Sequence, residues 1–220
     1  MTQRYAYVFD AYGTLFDVHS AAARHKDAIG PVWERLSQTW RAKHLEYTWI
    51  HAGIGRMTTF RVLAERSLDT AIATVGGIPT GVRARLLDAY LTLAAYPEVK
   101  EVLTGLRARG ARTAILSNGD PDMLAAAVGS AGLDGLFDAV ISITEAGIFK
   151  PHAPVYQLAC KRLGVAPAAI SFQSSNRWDA AAGTAFGYRA VWVNRTSAPP
   201  EYPDLPPALT LKNLMPLLED

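Results

Sequence analysis

Asp10 ends a short apolar run, Tyr-Ala-Tyr-Val-Phe at residues 5–9, and a Gly13-Thr14 turn follows. A carboxylate placed first after a buried strand is well sited to act as a nucleophile or a base. It could equally cap the turn that follows, as Asx residues commonly do. Other polar groups stand at the same kind of place. Ser117 and Asn118 follow Thr113–Leu116, and Lys150 lies in Phe149-Lys-Pro-His152, beyond the apolar run at 137–143. Ser174, Ser175 and Asn176 follow Ile170–Gln173, with Asp179 slightly later. Each has an ordinary explanation alone: Ser-Asn-Gly-Asp is good turn chemistry, and Lys150 can simply be solvated. Together they supply two carboxylates, hydroxyls, carboxamides and an ammonium along one edge, which favours a functional site over separate structural roles.

The elements that must position these groups follow from periodicity. From residue 98 onward, apolar runs alternate with helical faces. Helices are expected over 98–109, 123–131, 154–163 and 179–186, stopped in turn by Gly110, Gly132, Gly164 and Gly187. Strands are expected over 5–9, 113–116, 137–143, 170–173 and 190–193. Strands alternating with single helices require parallel crossovers. The fold class is α/β: a doubly wound, mostly parallel, Rossmann-like core sheet, whose strand ends lie along one edge where ligands bind.

Residues 18–96 break that rhythm. They hold helical stretches such as 33–51 and 82–93 and no clear strand. We expect an inserted all-helical cap over 18–96, leaving a core of 1–17 and 97–220. One larger α/β domain with extra helices is the alternative. Caps cover sites and exclude water. The Pro-rich segment 197–207 is expected to be irregular, and 211–219 to form a short last helix that Pro216 must bend.

The chain has 220 residues, half of them hydrophobic and 19% charged, with a formal net charge of +2. That charge is too small to argue for nucleic acid, and no basic run is interleaved with aromatics. The lone Cys160 cannot form an internal disulfide, which fits a reducing compartment. Its place in a helical stretch suits packing better than catalysis. No leader peptide and no membrane span are expected, so the expected setting is cytoplasmic.

Four segments, Asp10-Ala-Tyr-Gly-Thr14, Ser117-Asn118, Lys150-Pro151 and Ser174-Ser-Asn-Arg-Trp-Asp179, resemble the haloacid dehalogenase superfamily. The resemblance covers essentially the whole chain. Most members are magnesium-dependent phosphatases, with a second Asp two positions after the nucleophile and an acidic pair in the fourth motif. This chain has Tyr12 and Ser175 at those places. Losing a carboxylate weakens a Mg²⁺ site. Losing the acid suits a leaving group that needs no proton, such as halide. Asp-Ala-Tyr-Gly-Thr-Leu-Phe-Asp, Leu-Ser-Asn-Gly, Phe-Lys-Pro-His and the cap stretch Trp40–Trp49 are similar to the (S)-2-haloacid dehalogenases in particular.

The resemblance implies hydrolysis of small (S)-2-haloalkanoic acids to (R)-2-hydroxy acids and halide through an aspartyl ester, without metal or other cofactor. Asp10 is the implied nucleophile, with Lys150 as its counter-charge. Asp179 and Asn176 orient or deprotonate the water, and Thr14 and Ser174 position the two carboxylates. Arg41, Asn118 and Trp178 receive the halide, while Ser117 and Lys150 hold the substrate carboxylate. Tyr12, Leu45 and Phe60 wall the alkyl group together with Trp178. Ala42 stands where members carry Gln, which implies a roomier or less polar pocket. The expected partners are the haloacid, the halide and a second copy in a homodimer, with neither nucleic acid nor membrane. The rivals are a magnesium-dependent phosphatase, a specialist for fluoroacetate, and a non-catalytic binding protein on a dead hydrolase fold.

Overall fold

The computed structural model describes residues 6–219, so the expected start of the first strand at Tyr5 lies outside the described residues. Among the described residues, six parallel strands make one sheet: β1 (Ala6–Phe9), β2 (Thr113–Ser117), β3 (Ala139–Ser142), β4 (Ile170–Ser174), β5 (Arg189–Val193) and β6 (Leu209–Leu211). Their order is β3-β2-β1-β4-β5-β6. β1, β2 and β4 are buried along their whole length, as strands covered on both faces must be.

This order places the site. The chain leaves β1 for β2 and β3 on one side, then returns to build β4 to β6 on the other. The topological switch lies between β1 and β4, the usual crevice for a ligand. Phe9 pairs with Gln173, and the Asp10 N–H donates to the Gln173 carbonyl at 2.9 Å. Asp10 and Ser174 therefore leave the sheet side by side.

Between β1 and β2 the described chain is helical: α1 (Ser20–Ala23), α2 (Lys26–Ile29), α3 (Trp33–Gly53), α4 (Phe60–Thr74), α5 (Val82–Leu91) and α6 (Val99–Ala108). α3 and α4 pack together, with the Trp40 indole N–H on the Ala64 carbonyl at 2.9 Å. The outgoing and returning chains are tied where they pass. Asp17 N–H donates to Ala94 O at 2.8 Å and Tyr96 N–H to Leu15 O at 3.0 Å. The Arg195 guanidinium locks this crossing, 3.6 Å from the Tyr96 ring centroid, 2.8 Å from Glu98 and 2.8 Å from the Thr14 carbonyl.

The remaining helices are α7 (Pro121–Ser130), α8 (Ala153–Leu163) and α9 (Arg177–Phe186). Gly164 and Gly187 end α8 and α9 in the left-handed region, at φ 62° and 99°, where a side chain would be strained.

Several expectations need correction. α9 starts at Arg177 rather than Asp179, so Trp178 and Asp179 lie in its first turn, where the helix dipole favours a carboxylate. The strand expected over 137–143 keeps only Ala139–Ser142. Leu211 belongs to β6, which hydrogen-bonds to β5. The expected last helix reduces to a 3₁₀ turn at Met215–Leu218, where Pro216 withholds a backbone N–H. Cys160 is buried as expected.

Candidate active site

Asp10 is buried and held by four donors from three segments. Its Oδ2 accepts from Thr14 Oγ1 at 3.1 Å and Asn176 Nδ2 at 2.8 Å, with Ser174 Oγ at 3.4 Å. Its Oδ1 accepts from Lys150 Nζ at 3.1 Å. Thr14 is fixed in turn by the Ser175 N–H, 2.8 Å from its hydroxyl. The turn after β1 and the turn after β4 thus interlock around one carboxylate.

Lys150 is only 1% exposed, yet it carries a charge between two carboxylates. Its Nζ lies 2.7 Å from Asp179 Oδ2. Burial opposes the charge, but Asp10 and Asp179 outweigh it and raise the pKa of the ammonium. Asp179, fully buried, also accepts from Ser174 Oγ at 3.1 Å and Tyr156 OH at 2.6 Å. Burial first, and the charge of Asp10 after it, push the Asp179 pKa up against the pull of Lys150 and Tyr156. A carboxylate so raised is a better base than an exposed one.

A small, tight cavity opens above Asp10. Asp10, Tyr12, Arg41, Leu45, Phe60, Ser117, Asn118, Lys150, Asn176 and Trp178 line it. Thr14, Ser174 and Asp179 stand behind Asp10 and Lys150, within hydrogen-bond distance of them or of each other. All the expected site residues are therefore brought together. Ala42 is solvent-exposed and not among the lining residues, against the expectation that it shapes the pocket wall.

The lining has a polar half rich in donors. Arg41, on α3, reaches down to the Tyr12 carbonyl at 3.0 Å and Asn176 Oδ1 at 3.1 Å. Asn118 accepts the Lys150 backbone N–H at 3.0 Å, so its NH₂ is what it can offer the cavity. The Trp178 indole N–H is buried without a partner. Ser117 Oγ accepts from the Gly119 N–H at 3.1 Å, which turns the loop and leaves the hydroxyl proton free to donate. Tyr12, Phe60 and Leu45 form the apolar half, with the Tyr12 and Phe60 ring centroids 5.1 Å apart. A β-carbon on Gly119 would sit 2.7 Å from Tyr12 Cε2, so Tyr12 occupies its place only because residue 119 has no side chain. Burial, above all, keeps Tyr12 a neutral phenol.

A magnesium ion does not fit these residues. Mg²⁺ needs oxygen atoms with free lone pairs. Here Lys150, Asn176 and Thr14 donate to the Asp10 carboxylate, and Arg41 and Asn176 donate to the Tyr12 carbonyl. Ser175 adds no negative charge. Two cations and a carboxamide already fill the positions around the oxygens that a metal would use.

Sequence reasoning missed Tyr156 and the role of Asp120 at this site. Tyr156, on α8, reaches Asp179 from an apolar helix face; a tyrosine among core residues gives no local sign of its partner. Asp120 follows β2 and was read as turn chemistry. Its carboxylate instead accepts the N–H groups of Phe60 at 3.1 Å and Arg61 at 2.8 Å, capping α4 from outside its own segment. α7 begins at Pro121, two residues before the expected 123, and nothing in that turn's sequence points to α4.

The model of the haloacid dehalogenase-like hydrolase family matches residues 6–187. The chain is 44% identical over 210 residues to (S)-2-haloacid dehalogenase 1 of Pseudomonas sp. (strain CBS-3), covering 95% of this chain and 92% of that protein. It is 42% identical over 217 residues to (S)-2-haloacid dehalogenase 4A of Burkholderia cepacia, covering 97% and 94%. Among solved structures, it matches the L-2-haloacid dehalogenase from Xanthobacter autotrophicus with chloropropionic acid covalently bound. The TM-score is 0.88 at 36% identity, over 98% of this chain and 97% of that one.

Proposed function

We propose that this chain, which belongs to the haloacid dehalogenase-like hydrolases, hydrolyses small (S)-2-haloalkanoic acids to (R)-2-hydroxy acids and halide. The observation that carries this reading is the cavity itself. It sets one buried carboxylate, every oxygen of it held by N–H or O–H donors, opposite a donor-rich wall and an apolar one. Such a site has no acid placed to protonate an alcohol and no room for a metal among its oxygens. A leaving anion and a short alkyl carboxylate suit it. The covalent chloropropionate complex of the Xanthobacter autotrophicus relative supports the same reading.

The proposed course is as follows. An Asp10 carboxylate oxygen attacks C2, the new C–O bond forms as the carbon–halogen bond breaks, and halide leaves with the bonding pair. In-line displacement inverts C2. Arg41, Asn118 and Trp178 receive the halide where negative charge develops. Ser117 and Lys150 hold the substrate carboxylate, and Tyr12, Leu45 and Phe60 enclose the alkyl group. Water then attacks the carbonyl of the Asp10 ester. Asp179, assisted by Asn176, takes its proton and returns it to the departing hydroxy acid. Thr14 and Ser174 hold the two carboxylates in place through both steps.

The proposal includes a helical cap, residues 18–96, over a core of 1–17 and 97–220. It also includes a cytoplasmic homodimer without nucleic-acid or membrane partners; sedimentation velocity tests the dimer. Among the described residues no helix is long and apolar enough to cross a membrane.

The deciding experiment measures halide release from both enantiomers of 2-chloropropionate, with and without chelator. We expect turnover of the (S) form alone, unchanged by chelator. No release from either enantiomer, or chelator-sensitive release, overturns the reading; the second result points to the magnesium phosphatase type of chemistry.

A further inference from the structure

Arg195 follows the end of β5 at the sheet edge where Asp10 follows β1. It is mostly buried, and it is not among the residues that line the cavity. Three contacts hold its guanidinium. Nη2 donates to the Thr14 carbonyl at 2.8 Å, Nη1 pairs with Glu98 Oε1 at 2.8 Å, and the group lies 3.6 Å from the Tyr96 ring centroid. Its Nε is buried without a partner, so the two Nη arms and the ring fix the plane. Glu98 is anchored in turn by the Leu214 N–H, 3.3 Å from the same oxygen.

Thr14 connects this group to Asp10. Its hydroxyl accepts the Ser175 N–H at 2.8 Å, a bond in which the amide can only donate. The single hydroxyl hydrogen is therefore free for Asp10 Oδ2, at 3.1 Å. The peptide that carries this hydroxyl is gripped on both sides. Before it, the N–H groups of Thr14, Leu15 and Phe16 converge on the Ala11 carbonyl at 3.2, 2.9 and 3.0 Å. After it, Arg195 takes the Thr14 carbonyl and the Tyr96 N–H takes the Leu15 carbonyl at 3.0 Å. Only Cα lies between the Thr14 carbonyl carbon and the carbon bearing the hydroxyl, so a tilt of that peptide swings the hydroxyl off Asp10.

We propose that Arg195 is a positioning residue that sets the Thr14 hydroxyl on the Asp10 carboxylate by holding the Thr14 carbonyl. Tyr96 and Glu98 hold the guanidinium, so the aim of Asp10 also depends on where the chain returns from helices α1 to α5. Lysine is not a substitute. It keeps a charge beside Glu98, but it has neither the planar fork nor the face that lies on Tyr96. The inference rests on the dehalogenase reading for the role of Asp10.

The test is a double-mutant cycle of Arg195→Lys and Thr14→Val, read in two ways. The first is halide release from (S)-2-chloropropionate in a single turnover, which follows the attack by Asp10. We expect each single variant to lose about tenfold, the worth of one hydrogen bond to a carboxylate. The double variant should lose no more than Thr14→Val, because without the hydroxyl there is nothing left for Arg195 to position. The second is amide exchange at Ser175, whose N–H has the Thr14 hydroxyl as its acceptor. It should quicken in all three variants relative to the amides of β2, which report global unfolding. If Arg195→Lys does not fold, Tyr96→Leu removes the ring beneath the guanidinium and takes its place in the cycle, with the same pattern expected. Losses that multiply in the double variant, or Ser175 exchange unchanged relative to β2, mean that Arg195 only braces the fold, and overturn the proposal. A wild-type chain that releases no halide overturns the dehalogenase reading instead, and Ser175 exchange still decides the role of Arg195.

Discussion

The Lys150 ammonium stands 2.7 Å from Asp179 and 3.1 Å from Asp10, so two buried carboxylates share one cation. When Asp10 becomes an ester in the proposed course, it loses its negative charge. Lys150 then no longer faces a charged Asp10 and serves Asp179 and the substrate carboxylate, at the step where Asp179 must collect a proton from water. Lys150→Met should abolish turnover. It should also destabilise the fold by about 3–5 kcal/mol, because it leaves two charges buried without a partner. Urea unfolding at falling pH checks this: the deficit should narrow as a carboxylate takes up a proton, and a deficit independent of pH argues against the shared-cation account.

Single-turnover hydrolysis in heavy-oxygen water should label the Asp10 carboxylate and not the product. Mass spectrometry of the Asp10 peptide reads this directly. Label in the hydroxy acid on the first turnover is incompatible with the ester. Asp10→Asn should release no halide.

Tyr156→Phe removes the hydroxyl 2.6 Å from Asp179 and leaves the packing. The Asp179 carboxylate then loses a charge-assisted hydrogen bond, worth about 1.5–3 kcal/mol. We expect kcat to fall by about tenfold to a hundredfold, with the ester accumulating on Asp10. Intact-protein mass during turnover shows whether the adduct builds up. A slow variant without adduct places Tyr156 in the first step.

Asp120→Ala removes the acceptor of the Phe60 and Arg61 N–H groups at the start of α4, while Thr59 keeps its bond to the Val62 N–H, costing about 1–2 kcal/mol. It also cuts the tie between the turn after β2 and Phe60. Stability should fall by that amount in denaturant, and KM should rise as the wall loosens. Asp120→Asn should recover part of both.

His44 gives a pH signature. Its pKa is about 3 in the fold, through burial and then the Arg41 charge, against 6.5 for an ordinary histidine. Tyr90 and the Phe60 carbonyl face it from the other elements. Below pH 6.5 the unfolded chain takes up a proton that the folded chain refuses. The neutral ring's contribution is therefore complete above 6.5 and is lost as pH falls toward 3. The loss runs at about 1.4 kcal/mol per pH unit, or about 2 kcal/mol at pH 5. His44→Gln abolishes this slope, so its stability relative to wild type should rise between pH 7.5 and 5. A difference flat across that range means that His44 titrates normally.

The residues legible in the sequence were those whose position alone betrays them. Asp10, Ser117, Asn118 and Asn176 each follow an apolar run, and a parallel sheet must gather such ends on one edge. Arg41, Leu45 and Phe60 came only through the family resemblance, because on a helix they read as ordinary surface or core. Tyr156, Tyr90 and His44 stayed invisible because their partners lie on other elements, and no local pattern encodes a contact between helices. β6 was hidden for a related reason: Leu209–Leu211 is too short to declare itself and becomes a strand by pairing with β5.

Gly119 has a further consequence. It is not among the glycines with left-handed backbone, so room rather than conformation accounts for it: the Tyr12 ring fills the space of the missing β-carbon. Tyr12 and Gly119 are thus a single unit written at two distant places in the chain. A lineage that acquired the tyrosine while 119 still bore a side chain would have met a clash. A side chain at 119 must displace the Tyr12 ring, so neither position can change without consequence for the other.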